Sequence, residues 1–316
     1  MEAVRNCNNR RTDLALEVRE TFEDDDVEIK GVVLEEEKDE ENDILVTKVI
    51  IKDERGAKAM GKPVGKYITI EAPRLKGSDD SYHIPVMEQI QRYIKELSGD
   101  VKEKHVLVAG LGNRNLTADA LGPQVVDHLF VTRHLVREFG EDFAKRNGLE
   151  AMSAISPGVM GQTGMESSEI LKGIIKETNP DLLIVIDALA ARSVNRLTTT
   201  IQITDTGISP GAGVGNNRNA LNLDSIGIPV IAIGVPTVVD AATIVDDIME
   251  NALRNKGFSE EEVYQFLSEM NDRQVNNMFV TPKNIDDSIH RISYTISEAL
   301  NGTFYAMGTP SPNYLR

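Results

Sequence analysis

Apolar positions along the chain fall into two regimes. Up to about residue 75 they occur in short alternating runs, and Glu28 to Leu34, Ile44 to Lys52 and Lys66 to Ile70 read as three strands of a small antiparallel set. The acidic run EEEKDEEND at 35–43, between the first two, reads as a loop plus a solvated face. From about residue 82 the period lengthens. HIPVMEQIQRYIKEL (83–97) has helical spacing, and the apolar run 105–109 follows it, ending in Gly110. Further apolar runs rich in β-branched residues lie at 182–186, 199–203 and 229–233. Helical stretches separate and follow them: Pro123 to Val136, Glu166 to Glu177 and Ala241 to Ala252, then Ser259 to Met270 and Lys283 to Leu300. Strands that are apolar throughout and alternate with helices predict a mostly parallel sheet covered on both faces. No repeat or low-complexity linker interrupts the pattern. The expectation is a single α/β domain with an antiparallel β extension at about 28–72.

Composition narrows the function. With 316 residues, 41% hydrophobic and 27% charged, the chain is long enough and apolar enough for a substantial core. Its formal charge of −16 repels phosphate backbones and anionic lipid, which argues against direct nucleic-acid binding. The segment from Glu20 to Glu54, with 15 acidic and 4 basic residues, carries −11 of that charge. A single cysteine, Cys7, has no internal partner for a disulfide and fits a reducing compartment. No apolar run approaches the ~20 residues of a membrane helix, and the polar N-terminus has no secretory core, so a cytoplasmic protein is expected.

Ligand sites in open parallel sheets form beyond the C-terminal ends of strands. Three segments qualify. GLGNRNLTADALGP (110–123) follows a strand, with Gly112 and Asn113 at its turn and Asp119 just before a helix, where helix capping is the alternative role. It lacks the third glycine of a dinucleotide fingerprint, and no P-loop occurs anywhere. LLIVIDALAARS (182–193) places Asp187 after five apolar residues. A carboxylate there costs several kcal/mol unless paired, hydrogen-bonded or protonated, which points to function. ITDTGISPGAGVGNNRNAL (203–221) carries Asp205 and the glycines 207, 211, 213 and 215, whose backbone freedom suits a loop lining a site. Within it, Gly207-Ile208-Ser209-Pro210-Gly211 matches the serine nucleophile elbow, but Pro210 has no N–H for an oxyanion hole. Asp205-Thr206-Gly207 matches the triplet of pepsin-like proteases, which need two copies on an all-β fold.

None of the five histidines lies in these segments, which argues against a Ser-His-Asp triad or a zinc site. What remains is a pair of carboxylates, Asp119 and Asp187. Two acids sharing a site split their proton affinities, so that one draws a proton from water while the neutral one hydrogen-bonds the carbonyl under attack.

These segments, with SPGVMGQTGMESSEI (156–170) and GIPVIAIGVPTVVDAATI (227–244), together resemble the germination protease family of spore-forming bacteria, from about Arg11 to the C-terminal helices. The resemblance implies an atypical aspartic endopeptidase that degrades small acid-soluble spore proteins and assembles as a homotetramer in the forespore and spore core. It also implies a fold shared with hydrogenase-maturation endopeptidases. No histidine stands in the loop 203–221, where a third metal ligand would be sought, so no metal or cofactor is expected. The two essential aspartates would be Asp119 and Asp187, with Gly112, Asn113, Asp205, Gly207, Gly211 and Gly213 as loop-lining candidates. The family is made as a precursor, and Arg11-Thr12-Asp13-Leu14-Ala15 resembles its processing junction, so residues 1–13 would form a propeptide cut between Asp13 and Leu14, leaving 14–316 as the protease domain. Family substrates are likewise cut after an acidic residue and before an apolar one. Two alternatives stand beside this reading: a metal-dependent maturation-type peptidase, and a non-catalytic module using the glycine-rich loops as an anion nest.

Overall fold

The computed structural model describes residues 12–20, 22, 29–77, 80–99, 104–215, 218–259, 262–263, 265–266 and 278–305. Cys7, nearly all of the proposed propeptide and most of the helix expected at 259–270 lie outside them. The strands are β1 (Val32–Asp39), β2 (Ile44–Ile51), β3 (Gly65–Glu71), β4 (His105–Gly110), β5 (Ala151–Ile155), β6 (Leu182–Ala191), β7 (Thr200–Thr204), β8 (Val230–Asp240) and β9 (Phe279–Val280). The helices are α1 (Ala15–Glu20), α2 (Glu54–Met60), α3 (His83–Ser98), α4 (Leu121–Asp127), α5 (Arg133–Phe139), α6 (Glu141–Arg146), α7 (Met160–Thr163), α8 (Ser167–Thr178), α9 (Leu223–Ile226), α10 (Ala241–Asn255) and α11 (Ile285–Phe304).

One mixed sheet runs in the order β1-β2-β3-β7-β8-β6-β4-β5, with β9 on β8. Its β5-β4-β6-β8 half is parallel. The N-terminal β1-β2-β3 meander is antiparallel and joins the same sheet through β3–β7. Successive residues of β4 and β6 face opposite sides, and both sides are covered. Val106, Val108, Ile184 and Ile186 pack against Ile90 and Ile94 of α3 and Ile292 and Ile296 of α11. Leu107, Ala109, Leu183 and Val185 meet Leu171 of α8 and Ile226 of α9. Double coverage is why these strands read as unbroken apolar runs.

The structure differs from the pattern-based expectation in particular places. The acidic run 35–43 is a solvated face and a loop, but the loop is shorter than the gap between the two predicted strands: β1 continues to Asp39, paired with Ile44, and only residues 40–43 turn. Glu35, Glu36 and Glu37 are exposed on a ladder whose partner β2 supplies the buried residues Ile44, Val46 and Val49. The helix expected over Pro123 to Val136 is two helices, α4 and α5, separated by residues 128–132. Strand β5 carried no separate signal, since AMSAI is half-buried along most of its length. Strand β7 is antiparallel to both neighbours, β3 and β8.

Candidate active site

Strand β4 ends at Gly110, paired with Ile186, while β6 runs on beside β8 to Ala191. Asp187 is therefore the first residue of β6 with no β4 neighbour, and its partner across β8 is Gly234. The apolar run 182–186 predicts a strand that stops just before Asp187, but β6 continues past it, so Asp187 sits inside a strand, only 5% exposed. The loop leaving β4 returns beneath it. Leu111 N–H donates to the Ile186 carbonyl at 2.8 Å, and a short helical turn at Thr117–Asp119 ends in Asp119. Asp119 does not cap α4, which begins after Ala120 without a side-chain cap. Instead its carboxylate accepts the Asn113 N–H at 2.7 Å. Gly112 makes this turn possible, with φ of +107° and no room for a Cβ beside the Asp119 carbonyl. Thr237 of β8 secures the turn by donating its hydroxyl to the Ala118 carbonyl at 2.6 Å.

Asp119 and Asp187 line one cavity of about 440 Å³, together with Asp13, Gly112, Gly211 and Arg218. Arg218 pairs with Glu166 at 3.4 Å on its wall. Burial pushes the Asp187 carboxyl well above the usual carboxylate range; the charges of Asp119 and then Asp13 push the same way, opposed by the Ala188 N–H. Asp119 is also raised by burial, but its hydrogen bond from Asn113 counters that. Two acids of one cavity thus sit in unequal settings, the more enclosed one favouring its proton.

The segment at the N-terminus enters this cavity. Asp13 N–H donates to the Ala190 carbonyl at 3.0 Å, while the Asp13 carboxylate accepts the N–H of Ala190 at 2.9 Å and that of Gly213. Burial raises the Asp13 carboxyl; those two N–H groups and the Lys62 ammonium oppose it. Leu14 is fully buried among Leu189, Ala191, Leu197 and Val239. Beyond it, α1 is fastened by Glu17, 2% exposed, which accepts the N–H groups of Arg192 at 2.7 Å and Ser193 at 3.0 Å and pairs with Arg196 at 3.4 Å.

The remaining candidates of the third loop divide. Gly211 lines the cavity and Gly213 abuts Asp13, where a Cβ would overlap the carboxylate. Gly207, at φ +77° against the Leu221 carbonyl, lines a neighbouring cavity. Asp205 lines neither; its carboxylate accepts the Lys66 N–H at 2.8 Å at the start of β3. Sequence reasoning missed Lys62, Gln202, Glu17 and Arg196. Lys62 sits in a Gly/Pro-punctuated stretch that reads as an ordinary turn, and no local pattern marks it. Among the described residues, no group of three or more His, Cys, Asp or Glu side chains is arranged to hold a metal ion.

Comparison with known proteins defines the class first. The family model described as germination protease matches residues 10–262. The chain is 48% identical over 310 residues to a germination protease of Caldanaerobacter subterraneus, covering 92% of this chain and 93% of that one. It is 46% identical over 309 residues to that of Clostridium perfringens, covering 93% and 94%, and 48% identical over 256 residues to that of Bacillus cereus, covering 78% and 68%. A solved [NiFe] hydrogenase maturation protease, HycI of Thermococcus kodakarensis, aligns with TM-score 0.33 and 15% identity over 66% of this chain and 98% of that one. The protein is thus a protease. It belongs to the germination protease family.

Proposed function

We propose that this protease is an aspartic-type endopeptidase whose working groups are Asp119 and Asp187, made as a precursor that cuts itself between Asp13 and Leu14. The observation that carries the reading is the convergence of three residues on one cavity: the two acids with unequal proton affinities, and Asp13 of the bond to be cut. Ionised Asp119 takes a proton from a water molecule as the water oxygen bonds to the carbonyl carbon. Protonated Asp187 supplies a proton to the departing amide nitrogen as the C–N bond breaks. A carboxylic acid and a new amine result.

Small acid-soluble spore proteins are the substrates in this reading, the spore core is the place of action, and the working assembly is a homotetramer. A chain of −16 charge does not compete with such DNA-binding substrates for the nucleic acid.

The test is to incubate the full-length chain at mildly acidic pH, with and without chelator, and follow intact mass. Loss of residues 1–13 in both samples, but not in Asp119→Asn or Asp187→Asn, is expected. Loss abolished by chelator would replace the carboxylate pair with metal chemistry. A chain that cuts neither itself nor spore proteins, yet retains anions equally in both variants, would be a binding module.

A further inference from the structure

The Asp13 backbone is held as firmly as its side chain, and by different groups. Its carbonyl oxygen accepts a hydrogen bond from Lys62 Nζ at 3.0 Å and another from Gln202 Nε2 at 3.3 Å. Gln202, on β7, is buried and fixed at its other end, where its Oε1 accepts the Ala15 N–H at 2.8 Å. Lys62 follows α2; burial lowers its pKa, and the neighbouring carboxylates of Asp13 and Glu17 oppose that shift and favour the ammonium. Asp13 lines two cavities at once: the one holding Asp119 and Asp187, and a second of about 210 Å³ lined by Lys62 and Gln202. The residue therefore bridges a groove with acids on one side and donors on the other.

We propose that Lys62 and Gln202 hold the carbonyl oxygen of the bond to be cut, while the Ala190 and Gly213 N–H groups receive the carboxylate of the acidic residue that the family resemblance places before that bond, and that Asp13 fills this groove in cis. The inference rests on the reading that the Asp13–Leu14 bond is the one cut. On that reading Lys62 and Gln202 take over the carbonyl-oxygen role that the sequence assigned to the neutral acid. As the water oxygen bonds to the carbonyl carbon, negative charge develops on an oxygen already facing an ammonium and an amide N–H, which stabilise it. The proton on Asp187 is left for the departing Leu14 nitrogen. A neutral isostere of the acidic side chain leaves the enclosed donors facing less charge, so acid over amide becomes the discrimination. Gly213 sets the pocket's depth: its backbone is in an ordinary conformation, but a Cβ would overlap the Asp13 carboxylate and crowd the Ala190 Cβ.

The test uses the full chain and two readouts. In the first, release of residues 1–13 is timed by intact mass for wild type, Asp13→Asn, Lys62→Met, Lys62→Arg and Gly213→Ala. The expected result is slowing of about 10- to 100-fold for Asp13→Asn, Lys62→Met and Gly213→Ala, with partial recovery in Lys62→Arg. Rates within about twofold of wild type for Asp13→Asn and Lys62→Met, or faster release in Lys62→Met, overturn the proposal. The second readout needs no catalysis: a double-mutant cycle of Asp13→Asn with Lys62→Met in unfolding equilibria, in an Asp119→Asn background that stays uncut. Non-additivity of about fivefold or more supports the subsite, and additivity overturns it. If wild type never loses residues 1–13, the processing reading fails and the carbonyl-clamp role falls with it, while the cycle still decides the acid-binding pocket.

Discussion

The Asp119 carboxylate is held by the backbone N–H of Asn113 at 2.7 Å, across a turn closed at Gly112. One of the two proposed working acids thus depends on the glycine that closes its turn. Gly112→Ala puts a Cβ against the Asp119 carbonyl at a φ that alanine avoids. Expected outcomes are a loss of about 1–3 kcal/mol in stability and of about 100-fold in peptidase rate, read by denaturant unfolding and by cleavage of a spore-protein peptide.

Asp187 gives a pH signature. Its folded carboxyl is raised well above 3.8, so between the unfolded and folded values the native chain binds more protons than the unfolded one. The stability contributed by this group is full below its unfolded value and is lost as pH rises through the folded one. Asp187→Asn should therefore unfold at higher temperature than wild type near neutral pH, with the gap closing toward about pH 3. Thermal scans across that range check it. Activity of the wild type should be bell-shaped, falling on the acid side as Asp119 gains a proton and on the alkaline side as Asp187 loses one.

Leu14 fills an apolar site between β6, β8 and the turn at Leu197. Leu14→Ala leaves a cavity there and should cost the uncut chain about 2–5 kcal/mol. Denaturant midpoints of uncut samples measure it. A chain of ordinary stability would show that the surrounding residues close the gap.

Arg196 binds Glu17 at 3.4 Å, Glu20 at 2.5 Å and Glu71 at 3.0 Å. Arg196→Met leaves Glu17 enclosed with its charge uncompensated by any of these pairings, and should cost about 3–5 kcal/mol. Double substitution with Glu17→Gln should recover part of that loss, as read by unfolding.

Much of this architecture is legible in the sequence because double coverage leaves a plain mark: residues 106–109 and 182–186 are apolar on both faces. Asp187 interrupts such a run, and Asp119 sits in a glycine-bearing loop after one, so both stood out. The direction of β7 did not, because the same apolar run fits parallel or antiparallel neighbours. Asp205 is a loop-lining candidate that no pattern could place: its triplet is set aside on the sequence as a single copy outside an all-β fold, and its carboxylate serves the Lys66 backbone. Lys62 and Gln202 escaped because they reach the site through contacts with Asp13 that are 49 and 189 residues distant in sequence.

Helix α1 is bolted to the turn after β6 and to Arg196 on the far side of the Asp13–Leu14 bond. Severing that bond would free only the acyl half of the severed peptide, because the amine half stays rooted in the body of the molecule. Such an enzyme would keep its own leaving group as a permanent wall of the groove, and incoming chains would have to be threaded past a terminus that never departs.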